Sequence, residues 1–233
     1  MAIMKTIFHN FLNLFFPNLC VVCNSRLSEG EEHICTDCLL LLPKTNFHLQ
    51  PDNRLEEFFA GRIPFEKIAA YAYFIKGGSI QQIIHELKYN RNPPRIGQFI
   101  GRLCGEQIKG SDFISSVDLL VPIPLHPKRE KQRGYNQSLE VCKGLSESIG
   151  IPVDQSTLIR KINNQSQTKN SRFDRWKNVE DIFSITDTDA FKDKHILLVD
   201  DVITTGSTLE SAAKEILKSK DAKISIFAVG TAG

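Results

Sequence analysis

The sequence predicts an α/β fold, a mostly parallel twisted sheet with flanking helices, joined to a small N-terminal four-cysteine zinc module. Three observations carry that expectation. Strand-like apolar runs alternate with helical periodicity from Ile68 to Val229, the order that builds a parallel sheet covered by helices. One run, Ile196-Leu197-Leu198-Val199, has no polar interruption and ends at two adjacent acids, Asp200 and Asp201, as a buried parallel strand does where it meets solvent. Two Cys-x-x-Cys pairs, Cys20 with Cys23 and Cys35 with Cys38, fall near the N-terminus.

A length of 233 residues accommodates one α/β domain with a core that needs no staples, plus an appendage. The expected division is 1–43 for the N-terminal helix and zinc-binding module, 44–64 for a polar connector, and 65–233 for the main domain. The net charge of +2 conceals a gradient. Lys128 to Lys177 holds eleven Lys and Arg against five acids, whereas Val179 to Asp201 holds seven acids and two lysines. A basic lobe of that kind suits a polyanion, either a phosphorylated metabolite or a nucleic-acid backbone.

Within the module, eleven residues separate the two cysteine pairs, too few to form a core. Two such pairs close one tetrahedral Cys₄ zinc site, whose metal supplies folding energy. Four thiolates leave no open coordination position, so the expected Zn²⁺ is structural. His33 stands as an alternative fourth ligand, and two disulfides as an alternative chemistry that a cytoplasmic chain disfavours. Cys104 and Cys142 lie in helical patterns, as buried thiols do. The apolar stretch Ile7 to Phe16 is interrupted by His9, Asn10 and Asn13 and is too short to span a bilayer. It reads as one side of a short amphipathic helix ending at Pro17, without the basic face of a membrane-surface helix. No integral membrane segment and a cytoplasmic location are expected.

In the main domain, Ile68 to Ile75 reads as a strand, Ser79 starts a helix through Leu87, and a second helix covers Ile96 to Ile108. Val117 to Pro124 is a second strand, broken by prolines at the carboxyl edge, where open α/β sheets bind ligands. A basic loop follows, with His126, Arg129 and Arg133 placed to hold pyrophosphate, before a helix from Ser138 to Ile149. From Leu158 to Asp181 the apolar period is lost, and the stretch reads as a flap whose Arg160, Arg172 and Arg175 close over an anion. Phe183 to Thr186 reads as a short edge strand, His195 to Val199 as the central strand, and Lys223 to Val229 as a further one.

The stretch after the central strand carries the most specific chemistry. Thr204, Thr205, Gly206, Ser207 and Thr208 precede a helical pattern in Leu209, Ala212, Ala213, Ile216 and Leu217. Unpaired N–H groups and the positive helix end favour a phosphate there, and Gly206 lets the backbone approach it. The loop has neither the lysine of a Walker A loop nor the glycines of a dinucleotide fingerprint. Asp200 and Asp201, just before it, suit hydrogen bonds from the ribose diol of a phosphoribosyl group.

Leu197 to Thr208 resembles the phosphoribosyl-pyrophosphate (PRPP) signature of type I phosphoribosyltransferases. Further blocks extend the likeness over nearly the whole chain to the ComF/GntX family of competence proteins: the four cysteines, Leu87-Lys88-Tyr89, Val121 to His126 with Arg129, and Arg133-Gly134-Tyr135-Asn136-Gln137. Arg160, Gln167, Arg172, Arg175 and Asn178-Val179 continue it. Arg91 and Asn164 depart from the family pattern. The resemblance implies a type I phosphoribosyltransferase-like fold, PRPP or a related ligand bound with Mg²⁺ on its oxygens, and Asp200 and Asp201 as the catalytic acids. It also implies a role in the uptake and processing of transforming DNA, with single-stranded DNA and a DNA-uptake helicase or other competence protein as partners. A metabolic phosphoribosyltransferase of nucleobase or amine salvage, and a non-enzymatic single-stranded DNA adaptor, are the alternative readings.

Overall fold

The computed structural model describes residues 17–89, 93–161 and 182–232. The N-terminal helix, Arg91, Asn164, and the flap residues Gln167, Arg172, Arg175 and Asn178-Val179 lie outside the described residues.

The main sheet is made of β1 (Ile68–Tyr73), β2 (Leu119–Pro122), β5 (His195–Ile203) and β6 (Lys223–Thr231) in the order β1-β6-β5-β2. Every pairing is parallel. The apolar runs are buried from end to end in β2 and over His195 to Val199 in β5, as a sheet covered on both faces requires. Helices α3 (Ser79–Tyr89), α4 (Pro93–Ile108), α6 (Gln137–Ile149) and α7 (Ser207–Ile216) alternate with these strands. Asn136 caps α6 by accepting from the N–H groups of Ser138 and Leu139, and its side-chain amide donates to the Ile123 carbonyl at 3.0 Å. Helices α4 and α6 pack backbone to backbone: a Cβ on Gly144 would stand 2.0 Å from the Gln98 carbonyl oxygen. That contact seats the middle of α6 against α4.

Three expectations change. The central strand does not stop at Val199. Asp200, Val202 and Ile203 remain paired with Ala228, Gly230 and Thr231 of β6, while pairing with β2 ends at Pro122 opposite Val199. The Ile123 N–H still donates to the Val199 carbonyl at 2.9 Å, and beyond Val199 the β2 side of the strand borders the cleft lined by Ile123, Pro124, Asp200 and Asp201. The basic loop is helical: α5 spans Pro127–Arg133. His126 Nδ1 accepts from the Lys128 N–H at 3.2 Å, Pro127 holds the first turn, and Gly134 ends the helix at φ +81°, the expected chemistry of each position. Finally, Leu158–Arg160 is a strand, β3, which pairs antiparallel with β4 (Phe183–Ile185) in a separate two-stranded sheet. Phe183 is fully buried and β4 packs on α7.

Residues 44–64 contribute apolar surface to the core. Thr45 donates to the Ala70 carbonyl oxygen, and α2 (Arg54–Phe59) is capped by Asn53, whose amide also donates to the Ile68 carbonyl at 2.9 Å. Phe47, Leu55 and Phe59 are buried. The cysteine module, with the one-turn helix α1 (Thr36–Leu40), rests on α4. Arg102 of α4 pairs with Glu32 at 3.0 Å and Glu147 at 3.3 Å, and the His33 ring meets Phe99 edge-on at 5.4 Å. Among the described residues no helix is long and apolar enough to cross a membrane.

Candidate ligand cleft and cysteine cluster

Asp200 and Asp201 line a cleft of about 280 Å³ at the carboxyl edge of the sheet. Asp200 Oδ1 accepts from the Ser138 hydroxyl at 3.1 Å and from the Asp201 N–H at 2.8 Å. Burial, reinforced by the Asp201 charge, pushes the Asp200 carboxyl up to about 7, because both effects disfavour its ionised form. Asp201 is paired with Lys88 of α3 at 2.7 Å. Arg129, Arg133 and Arg160 belong to the same cleft. Burial and then the Arg129 charge hold the Arg160 guanidinium below its ordinary value, against the pull of Asp200. Cations crowded in this way beside two acids form a site that an anion relieves.

The loop between β5 and α7 is held from below. Gly206 adopts φ +68° at the cap of α7, and a Cβ there would stand 2.5 Å from Phe59 Cζ. Arg62 donates to the Thr205 carbonyl at 3.0 Å and, through Nε and NH2, to Glu210 Oε2 at 3.0 and 2.7 Å. Its guanidinium lies over the rings of Phe58 and Phe59. The loop backbone is thereby fixed by α2 and Arg62 together. Thr205 and Ser207 share a hydroxyl contact at 3.0 Å and are exposed, ready to donate.

The structure brings together most of the residues singled out by sequence, and separates a few. Arg129, Arg133, Arg160, Asp200, Asp201 and Thr208 share the cleft. Thr204 lines a different cavity, of about 330 Å³, with Phe47, Phe58, Tyr73, Ile203 and Thr231. His126 uses Nδ1 as a helix cap. Lys88, Ser138 and Arg62 received no role from the sequence. Lys88 had one signal, its place in the Leu-Lys-Tyr block, whereas nothing local marks Arg62.

The four cysteines converge. Their sulfur atoms all lie within 4.8 Å of one another, and Cys23 and Cys35 Sγ are 3.7 Å apart. Zinc bonded to four sulfurs at about 2.3 Å in a tetrahedron spaces them about 3.8 Å apart, so the cluster fits a metal such as zinc. Cys20 Sγ accepts from the N–H groups of Val22 at 3.4 Å and Cys35 at 3.3 Å. The Ser25 hydroxyl and N–H hold the exposed Cys23 thiol down to about 6. His33 is not part of the cluster, and all four cysteines are free thiols. Cys104 and Cys142 are buried, and burial pushes both thiols up.

Comparison with known proteins shows the family. Competence protein ComFC of Bacillus subtilis is 38% identical over 247 residues, covering 90% of this chain and 93% of the relative. The chain belongs to the ComF family. DNA utilization protein YhgH of Escherichia coli is 26% identical over 229 residues, covering 92% of this ComF-family chain and 97% of the relative. Competence protein F of Haemophilus influenzae is 25% identical over 229 residues, covering 94% and 99%. Residues 136–232 match the phosphoribosyl transferase domain. That match runs from the cap of α6 through the end of β6, so it includes Asp200 and the loop. It leaves out Lys88, α5 and the cysteine cluster.

Proposed function

We propose that this ComF-family chain binds PRPP, or a related phosphoribosyl ligand, in the acid cleft, and that it acts in the uptake and processing of transforming DNA. The observation that carries the reading is the single cleft in which Asp200 and Asp201 adjoin the start of α7 and face Arg129, Arg133 and Arg160. Thr205, Gly206, Ser207 and Thr208, at the positive end of α7, receive the 5′-phosphate. Asp200 and Asp201 accept from the ribose hydroxyls and stabilise positive charge growing at the ribosyl carbon. The arginines of α5 and β3 neutralise the diphosphate, with Arg172 and Arg175 of the flap adding to them. Mg²⁺ supplies charge neutralisation on the ligand's oxygens, where it needs few protein ligands. The names of the relatives, competence and DNA utilization proteins, support the DNA role. They also support single-stranded DNA and another competence protein as the partners to test.

Cys20, Cys23, Cys35 and Cys38 hold a closed structural zinc on this reading, and Arg102 ties that module to α4. Calorimetric titration of PRPP with Mg²⁺ tests the ligand. Wild type is expected to bind, and the protein carrying Asp200→Asn with Asp201→Asn is not. Equal binding by both would move the ligand elsewhere, and no binding by either would end the reading.

One further observation favours a second reading, transfer of the phosphoribosyl group to a planar acceptor. The cavity at Thr204 is walled by Phe47, Phe58 and Tyr73, surfaces on which an aromatic ring stacks. Steady release of pyrophosphate from PRPP with one compound of a nucleobase panel would support it, and absence of turnover across the panel would remove it.

A further inference from the structure

Gln137 opens α6 and is only 2% exposed, yet its amide nitrogen Nε2 has no hydrogen-bond partner among the described residues. The same side chain is part of the wall of the acid cleft, with Ser138, Asp200, Arg129 and Arg160. A buried donor without an acceptor lowers the stability of the fold. Native chains retain such groups where something other than the chain pairs with them. Burial raises the neighbouring Tyr135 hydroxyl, and the Gln137 amide opposes that rise. The hydroxyl does not satisfy that amide by hydrogen-bond geometry, and its own proton goes to the Leu87 carbonyl oxygen.

The position is rigid. Asn136 caps the two following N–H groups and is anchored to Ile123, and α6 is seated against α4 at Gly144. Two charges of the same sign act on whatever meets the amide: the positive end of a thirteen-residue helix and the guanidinium groups of the cleft. Both select an anionic oxygen. A primary amide offers two N–H donors in the plane of its carbonyl, so Nε2 adds a neutral donor beside the cations.

We propose that Gln137 is a specificity-determining contact, donating Nε2–H to a phosphoryl oxygen at the diphosphate end of the ligand. This rests on the phosphoribosyl reading of the cleft. The test uses the full chain with its metal, wild type and Gln137→Met, a change of similar volume that removes the amide. Each protein is titrated calorimetrically with PRPP and with inorganic pyrophosphate, both with Mg²⁺, and melted without either.

The expected result is an affinity loss of about tenfold or more for both probes, as for a lost hydrogen bond to a charged group. It should come with a melting temperature of the ligand-free protein equal to or above wild type. Unchanged affinity overturns the assignment, as does a loss confined to PRPP. A loss accompanied by a lower melting temperature also overturns it, since the amide would then be holding the fold. Should wild type take up neither probe, the phosphoribosyl reading fails first and the assignment with it.

Discussion

Lys88 Nζ lies 2.7 Å from Asp201 Oδ2, joining the end of α3 to the acid pair of β5. The ammonium also lowers the Asp200 carboxyl, against the burial and the Asp201 charge that raise it. One cation therefore keeps two neighbouring carboxylates compatible. On the proposed reading, a phosphoribosyl ligand would exchange these partners: Asp201 would gain hydroxyl donors and Lys88 phosphoryl oxygens.

Replacing Lys88 by Met removes both halves of that exchange. PRPP affinity should fall about tenfold or more, the scale of a charge-assisted hydrogen bond. The Asp200 titration should move above about 7, which carboxyl-carbon NMR reads directly. An Asp200 midpoint that stays in place would show that the Lys88 charge does not reach it.

The raised Asp200 carboxyl predicts a pH dependence with a definite sign. Its value rises from 3.8 to about 7 on folding, so between those pH values the folded chain holds a proton that the unfolded chain has released. The contribution to stability is complete below about pH 4, is lost as pH rises through about 7, and is level above that. Asp200→Asn should flatten this slope and raise the melting temperature at about pH 8, by a few kcal/mol of stability at most. PRPP affinity of the wild type should run the other way and grow through the same interval, since the ionised carboxyl accepts from the diol. Parallel melting curves for wild type and variant would remove the assignment of the slope to Asp200.

What the sequence makes legible is local. The run Ile196 to Val199, the helix starts and the two cysteine pairs are contiguous patterns, and each becomes the element its pattern implies. The capped helix α5 was equally available, since Pro127 and Gly134 mark its ends, but its density of charge outweighed those marks. The extension of β5 through its acids was not available, because it depends on the length of β6 and on Pro122 ending β2. The contact of Arg62 with Glu210 spans 148 residues, and no pattern in a single sequence encodes such a meeting.

That contact, with Gly206, predicts how firmly the phosphate loop is built. Gly206→Ala combines a left-handed φ with a Cβ 2.5 Å from Phe59 Cζ, and should cost roughly 1–3 kcal/mol. Arg62→Ala should cost about 1 kcal/mol, as the ion pair is partly solvated. Because Arg62 also holds the Thr205 carbonyl, PRPP affinity should drop with it. A double-mutant cycle of Arg62→Ala with Glu210→Gln should show coupling near 1 kcal/mol. Strict additivity would leave the Thr205 carbonyl contact and the aromatic stacking on Phe58 and Phe59 as the whole contribution of Arg62.

Metal removal should act on the module before it acts on the cleft. The cysteine cluster meets α4 through Arg102 and His33, whereas Asp200 and Arg160 belong to the carboxyl-edge site formed by β5, β3 and α6. A four-thiolate zinc contributes its binding energy to folding. The purified chain should therefore carry one equivalent of zinc by elemental analysis, and Cys38→Ser should lower both metal content and melting temperature. Protons compete with zinc for thiolates, so chelator should strip the metal faster as pH falls. PRPP binding measured on the chelated protein while it stays folded should persist, because no cysteine of the cluster lines the cleft. If affinity disappears with the zinc at a temperature where the fold survives, the module shapes the ligand site as well, and the path of that coupling runs through α4 and its glycine seam with α6.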